Sequence, residues 1–221
     1  MQPVAFAPIT PPMWSDRPVI VVGSGPSLKG FDFNRLKGLG YILAVKGALW
    51  DLPFADAAIG IDRTWMQAEA ERIEAAAQTM PVFLTVKPEE YAQHQRRMPS
   101  AQFIELVRRG NCFQKTRVEC GSTSGFAALN LAFIKGARVM VLFGFDYNDG
   151  GGHYDSNAYR HKLESINARL WPKWAKYFDG LIPDVESSGL TIINASPDST
   201  ITAFQKMTHE QALRFLQTWP R

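Results

Sequence analysis

The stretch PVIVVGSGPSLKG, Pro18 to Gly30, is the most informative in the chain. Four β-branched residues run straight into a turn that holds two glycines, a proline and two serines. A fully apolar run of this length reads as a central strand covered on both faces. Further short apolar runs follow it: YILAV (41–45), DAAIGI (56–61), PVFLTV (81–86), RVMVLFGF (138–145) and LTIINAS (190–196). Helix-like segments alternate with them. TWMQAEAERIEAAAQT (64–79) is rich in alanine and glutamate. GFAALNLAFIKGA (125–137) places Phe126, Leu129 and Phe133 on one helical face. A helical stretch over 161–187 is interrupted near Pro172 and Pro183, and THEQALRFLQTW closes the chain with Thr208 as its N-cap. The alternation predicts an α/β fold, a mostly parallel sheet with helices on both faces.

Composition sets the boundaries. The 221 residues suffice for one well-buried core, and 46% hydrophobic with 20% charged residues is ordinary for a soluble domain. The organisation expected is an N-terminal arm (1–17), one domain (18–206) with a less regular basic insertion at 87–117, and a C-terminal helix (207–221). Within the insertion, KPEEYAQHQRRM reads as a short helix and AQFIELV as a short strand or helix. A formal charge of +3 makes no case for nucleic acid, although Arg96, Arg97, Arg108, Arg109, Lys115 and Arg117 leave a polyanion partner open. Two cysteines, Cys112 and Cys120, are too few for a disulfide framework, and no Cys/His set has zinc spacing. No apolar run reaches membrane-spanning length and the N-terminus lacks a basic leader, so a cytoplasmic protein is expected.

Three turns carry the chemistry expected at the carboxyl ends of parallel strands. The first holds Gly23, Ser24, Gly25, Pro26 and Ser27. Its glycines admit a close ligand, and its N–H groups and hydroxyls suit an anion. It lacks the third glycine of the dinucleotide fingerprint and the Gly-Lys-Ser/Thr of a Walker A loop. The second, Gly121 to Gly125, opens a helix with Ser122, Thr123 and Ser124. These are either caps or contacts to a phosphate or carboxylate. The third, GFDYNDGGGHYD (144–155), brings Gly144, Asp146, His153 and Tyr154. Asp62 ends another strand, so Asp62 and Asp146 are candidates to share a Mg²⁺, bind a ribose or cap helices. Lys46 follows the second strand, where it can neutralise phosphate. Trp171 to Trp174, WPKW, reads as core or interface rather than a stacking site.

VIVVGSGPSLKGFDFNRL, STSGFAALNLAFIKGARVMVLFGFDY and INASPDSTITAF resemble, in the same order, two related groups. One is the archaeal 6-hydroxymethylpterin diphosphokinase-like family, with phage and prophage proteins among its members. The other is a family of bacterial sialyltransferases, which carries an asparagine where this chain has Ser24 and another where it has Lys46. The likeness runs from Val19 to Phe204 and is weakest in the basic insertion. It implies a Rossmann-like nucleotide-binding domain. Carried over, Gly23, Ser24, Gly25, Pro26 and Ser27 with Thr123, Ser124 and Gly125 form the nucleotide pocket, joined by Lys46, Gly144 and Tyr154. His153, or else His161, is the base that deprotonates an acceptor. Asp146 is catalytic and, with Asp62, holds metal.

Three functions follow as expectations. The favoured one is an ATP/Mg-dependent, diphosphokinase-like transfer to a small hydroxyl acceptor. The second is a CMP-sugar-dependent glycosyltransferase with His153 as base. The third is a non-catalytic nucleotide-binding accessory protein.

Overall fold

The structure is a computed structural model that describes residues 6–9, 13–107, 111–148, 154 and 164–220. Its frame is a nine-stranded sheet in which every neighbouring pair is parallel. In chain order the elements are β1 (Val19–Val22), β2 (Tyr41–Val45), β3 (Ala57–Gly60), α1 (Arg63–Ala68), α2 (Ala70–Ala77), β4 (Val82–Val86), α3 (Tyr91–Arg97), β5 (Gln102–Val107), β6 (Val118–Glu119), α4 (Ser124–Ile134), β7 (Val139–Phe143), α5 (Glu164–Ala175), α6 (Ile182–Ser188), β8 (Thr191–Asn194), β9 (Gln205–Lys206) and α7 (His209–Gln217). The strand order is β6-β5-β4-β3-β2-β1-β7-β8-β9. The chain therefore winds outward from β1 in one direction and, after β7, in the other. The reversal lies between β1 and β7, and in such sheets the crevice beyond the strand ends at the reversal is where ligands bind.

The apolar strands are apolar because both faces are covered. Val19 and Val21 of β1 join a core on the α4 side, while Ile20 and Val22 join one formed with α1, α2 and α7. α4 departs from the one-sided expectation. Its residues from Ser124 to Ala132 are all buried, as a helix held between the sheet and the segment from Ala175 to Leu181 must be. The single helix expected over 64–79 is broken at Glu69, which leaves helical geometry (φ −110°, ψ 16°).

The segment expected to be an irregular insertion is largely part of the sheet. Lys87 to Val107 forms α3 and then β5, which pairs with β4 from Phe83↔Gln102 to Val86↔Glu105. Its apolar signal is sparse because α3 buries only His94 among its own residues, with Met98 just beyond. Arg96 and Arg97 lie on the exposed side, and Arg108 and Arg109 fall outside the described residues. The N-terminal arm is also docked where it is described. Trp14 is buried and stacks on Tyr41, and the Ala7 N–H donates to the Phe103 carbonyl at 2.9 Å. At the other end, Thr208 caps α7 as expected, within a reciprocal capping box with Gln211. Among the described residues no helix is long and apolar enough to cross a membrane.

Candidate active site

A cleft of about 620 Å³ opens over the carboxyl ends of the central strands, a volume within the range of small-molecule sites. Gly23, Ser24, Gly25 and Pro26 form one wall, and Ser122 to Gly125 another. Lys46, Asp62 and Gly144 also line it. Ten of the residues expected from sequence thus meet in one place, although they come from five separate strand ends. Ser27, Asp146 and Tyr154 do not line the cleft. His153 and His161 lie outside the described residues.

The first turn plays a different part from the one its composition suggests. Both of its glycine N–H groups are spent inside the protein. Gly23 N donates to the Phe143 carbonyl at 2.8 Å and Gly25 N to the Gly144 carbonyl at 2.9 Å. Pro26 has no N–H to give. The turn is stapled to the end of β7 through its two glycine N–H groups. Gly25 is obligatory here for contact reasons: a Cβ would lie 1.8 Å from Asp146 Oδ2 and 2.6 Å from the Gly144 oxygen. Gly144 itself has a φ of +69°, in the region glycine favours.

Asp146 is the post beneath this staple. It is buried and accepts a hydrogen bond from Ser27 Oγ at 2.9 Å, and Ser27 Oγ in turn lies 3.3 Å from Ser196 Oγ. Burial raises its pKa above the ordinary carboxylate value, against the opposing pull of the Ser27 hydrogen bonds. Tyr154 also acts from outside. Its N–H donates to the Ser24 carbonyl at 3.0 Å and its hydroxyl to Asp51.

Anion-binding capacity sits instead at the N-terminus of α4. Thr123 is the N-cap, and its Oγ1 accepts from Phe126 N at 3.1 Å and from the Tyr147 hydroxyl at 3.1 Å. Ser124 Oγ accepts from Ile61 N at 3.3 Å, which ties the helix to the end of β3. The first-turn N–H groups of Ser124 and Gly125, with the positive end of the helix dipole, border the cleft. The preceding loop is held by buried Glu119, which accepts from Cys120 N at 3.0 Å and Gly121 N at 3.3 Å. Burial pushes the Tyr147 hydroxyl up to about 12, so it is a donor throughout the physiological range.

Lys46 reaches Asp62 rather than open solvent, with Nζ 2.8 Å from Oδ2. Asp62 Oδ1 accepts from Trp65 N at 3.1 Å and caps α1. Burial alone would raise its pKa, but the charge and hydrogen bond of Lys46, with the N–H groups of Trp65 and Thr64, hold it below the ordinary value. The expectation that Asp62 and Asp146 share a cation gains no support: Asp62 lines the cleft paired with Lys46, whereas Asp146 lies outside the lining and takes the Ser27 hydroxyl. They leave the sheet from β3 and β7, with β2 and β1 between. A shared Mg²⁺ requires oxygens that converge within about 2.1 Å of the ion. Among the described residues no three His, Cys, Asp or Glu side chains form a group able to hold a metal.

Several cleft residues were not singled out in the sequence as site residues. Tyr147, Trp171 and Trp174 form an aromatic border, with Trp171 edge-on to Tyr147 (5.6 Å, 84°) and to Trp174 (5.2 Å, 81°). The tryptophans thus border the cleft and are not buried in the core. At the opposite end Thr85 is 1% exposed, and its Oγ1 has no hydrogen-bond partner although it borders the cleft. Arg63 and Glu90, 3.3 Å apart, and Lys87 complete that end. Among the described residues, the three non-glycine positions with left-handed backbone are Lys46 (φ 54°), Ser122 (φ 64°) and Tyr147 (φ 51°). All three line the cleft, and strain of this kind gathers at functional sites.

Comparison with solved structures gives the same architecture. The sialyltransferase CstII from Campylobacter jejuni, determined with cytidine-5′-monophosphate, superposes with a TM-score of 0.51 at 13% identity over 88% of this chain and 86% of that one. CST-II determined with a trisaccharide acceptor and CMP gives 0.50 at 14% identity, over 87% and 86%. The chain has the Rossmann-like sialyltransferase fold. No protein family model matches the sequence, and no curated protein does. The resemblance to diphosphokinase-like proteins thus gains no support here, while the relation to the sialyltransferases is supported at the level of fold.

The two aspartates have opposite linkage to pH. Asp62 titrates lower in the folded state, so it adds stability above its unfolded value, near 3.8, and this is lost as pH falls through the folded value. Asp146 titrates higher in the folded state, so its contribution is complete below its unfolded value and lost as pH rises through the folded one. Urea unfolding across the acid range is expected to show a shallower loss of stability for Asp62→Asn and a steeper one for Asp146→Asn.

Proposed function

We propose that this chain is a nucleotide-dependent glycosyltransferase whose donor is a CMP-sugar. The observation that carries the reading is the cleft at the β1/β7 reversal, with a smooth glycine floor on one side and the α4 N-terminus on the other. A single phosphate suits one helix N-terminus, where two N–H groups and the dipole meet it. Charge favours the same reading. Lys46, Arg63 and Lys87 among the lining residues stand against Asp62 and Glu90, and Lys46 is already paired with Asp62. That balance matches a phosphodiester better than a triphosphate, whose charge is ordinarily met by Mg²⁺ and dedicated cations. The two solved neighbours, determined with CMP, support this choice of nucleotide. The ATP/Mg diphosphokinase reading finds no such support. Thr85, with its buried hydroxyl unsatisfied, is placed to meet a polar edge of the nucleoside.

The chain's own residues would then divide the work. The first turn shapes the floor, and Ser124 and Gly125 hold the phosphate as charge develops on it when the glycosidic bond breaks. Thr123 is kept in place by Tyr147 and Phe126. His153, assigned from the sequence resemblance, takes the proton of the acceptor hydroxyl.

Isothermal titration calorimetry tests the nucleotide. CMP and a CMP-sugar are expected to bind equally in Mg²⁺ and in EDTA, with ATP at least about tenfold weaker. Binding of ATP that appears only with Mg²⁺ would restore the diphosphokinase reading. For the base, His153→Ala is expected to lower transfer by about a hundredfold or more while leaving CMP affinity unchanged. Full activity in that variant would remove His153 from the mechanism.

A further inference from the structure

The cleft has two chemically different ends on either side of the α4 N-terminus. One, over the tips of β2 to β4, is polar and charged, with Lys46, Asp62, Thr85 and Lys87. The other, beside β7 and under α5, is aromatic, with Tyr147, Trp171 and Trp174. We propose that Trp171 and Trp174 form the wall against which the sugar ring of the donor packs, and that they select a nucleotide-sugar over the bare nucleotide. This deepens the glycosyltransferase reading and rests on it.

The placement follows from the topology and from the tryptophans' own geometry. In doubly wound sheets the nucleoside lies across the ends of the strands next to the glycine-rich turn, with the ribose met by a polar side chain at the tip of the following strand. Here that direction leads over β2 and β3 to Lys46 and Asp62. With the phosphate at α4, the non-nucleotide half is left at the β7 and α5 side. Trp171 and Trp174 are three residues apart on α5, hence on one helical face. Both are partly exposed, and both border the cleft. Trp171 is steadied edge-on against Tyr147, whose ring packs at 5.2 Å on buried Phe178. The wall is therefore anchored to the core. An indole face attracts the electropositive C–H groups of a pyranose ring, and its N–H can donate to a ring hydroxyl or carboxylate.

The test compares CMP with CMP-N-acetylneuraminic acid by calorimetry in the wild type, Trp174→Ala and Trp171→Phe, with melting temperatures measured alongside. In the wild type the CMP-sugar is expected to bind about tenfold more tightly than CMP. Trp174→Ala is expected to lose most of that advantage while its CMP affinity stays within about twofold of wild type, which also shows that the cleft is intact. Trp171→Phe keeps an aromatic ring against Tyr147 and should show a smaller loss in the same direction. An undiminished advantage in both variants would overturn the proposal and leave the glycosyltransferase reading standing. Weakened CMP binding in a variant with an unchanged melting temperature would also overturn it, because the nucleobase and not the sugar would then lie on the tryptophans. Failure of the wild type to bind either compound would overturn the glycosyltransferase reading, and this proposal with it.

Discussion

The site depends on the pair of hydrogen bonds that join the turn after β1 to the turn after β7, Gly23 N to Phe143 O and Gly25 N to Gly144 O. They extend the β1–β7 pairing past the last strand residues, so the sheet reversal ends in a fixed double turn and not in two separate loops. Everything around the staple is fitted to it. Gly25 is bare because Asp146 Oδ2 and the Gly144 oxygen occupy the space a Cβ would need. Asp146 is buried beneath the turn and takes the Ser27 hydroxyl, and Tyr154 holds the Ser24 carbonyl from above. A buried carboxylate with a raised pKa is costly, and its role here is to keep the turn in one conformation.

Because the staple uses both glycine N–H groups of the first turn, the proposed phosphate site is the N-terminus of α4. That helix is well suited to it. It is buried along most of its length, so its N-terminus cannot drift, and Thr123, Ser124 and Glu119 tie that end to Tyr147, to β3 and to the preceding loop. Lys46 is a shared charge, held by Asp62 in a site too polar to exclude it and too balanced to suit a triphosphate. In the proposed reading this is a pre-organised place for one phosphate between a polar end and an aromatic end. Pre-organised donors of this kind need little rearrangement as charge develops during reaction.

Much of this was legible in the sequence where local signals are strong. Six strands and the parallel class followed from uninterrupted apolar runs, and the two glycine-serine turns, both singled out there, line one cleft. The two-residue strands β6 and β9 leave no periodic signal. α3 and β5 were read as a short helix and a short strand or helix, but their place in the sheet was not legible, because a short, mostly exposed helix with a basic last turn carries little apolar signal. The hydrogen bonds of the GSGPS turn could not be read from sequence for a deeper reason. Composition shows which donors a turn has, but which of them are free depends on β7, more than a hundred residues away. The metal expectation gains no support, since two strand-end aspartates look equivalent in sequence until the structure gives them different partners. Trp171 and Trp174 could be placed only by tertiary structure, and the left-handed backbones of Lys46, Ser122 and Tyr147 are not encoded by residue types that favour them.

The central claim is that the phosphate binds at α4 and not at the glycine turn. A crystal structure of the protein with CMP tests it most directly. The phosphate oxygens are expected within hydrogen-bond distance of the Ser124 and Gly125 N–H groups, with the Gly23 and Gly25 hydrogen bonds to β7 intact. A phosphate seated on the Gly23 to Gly25 backbone, with those two bonds broken, would contradict the account.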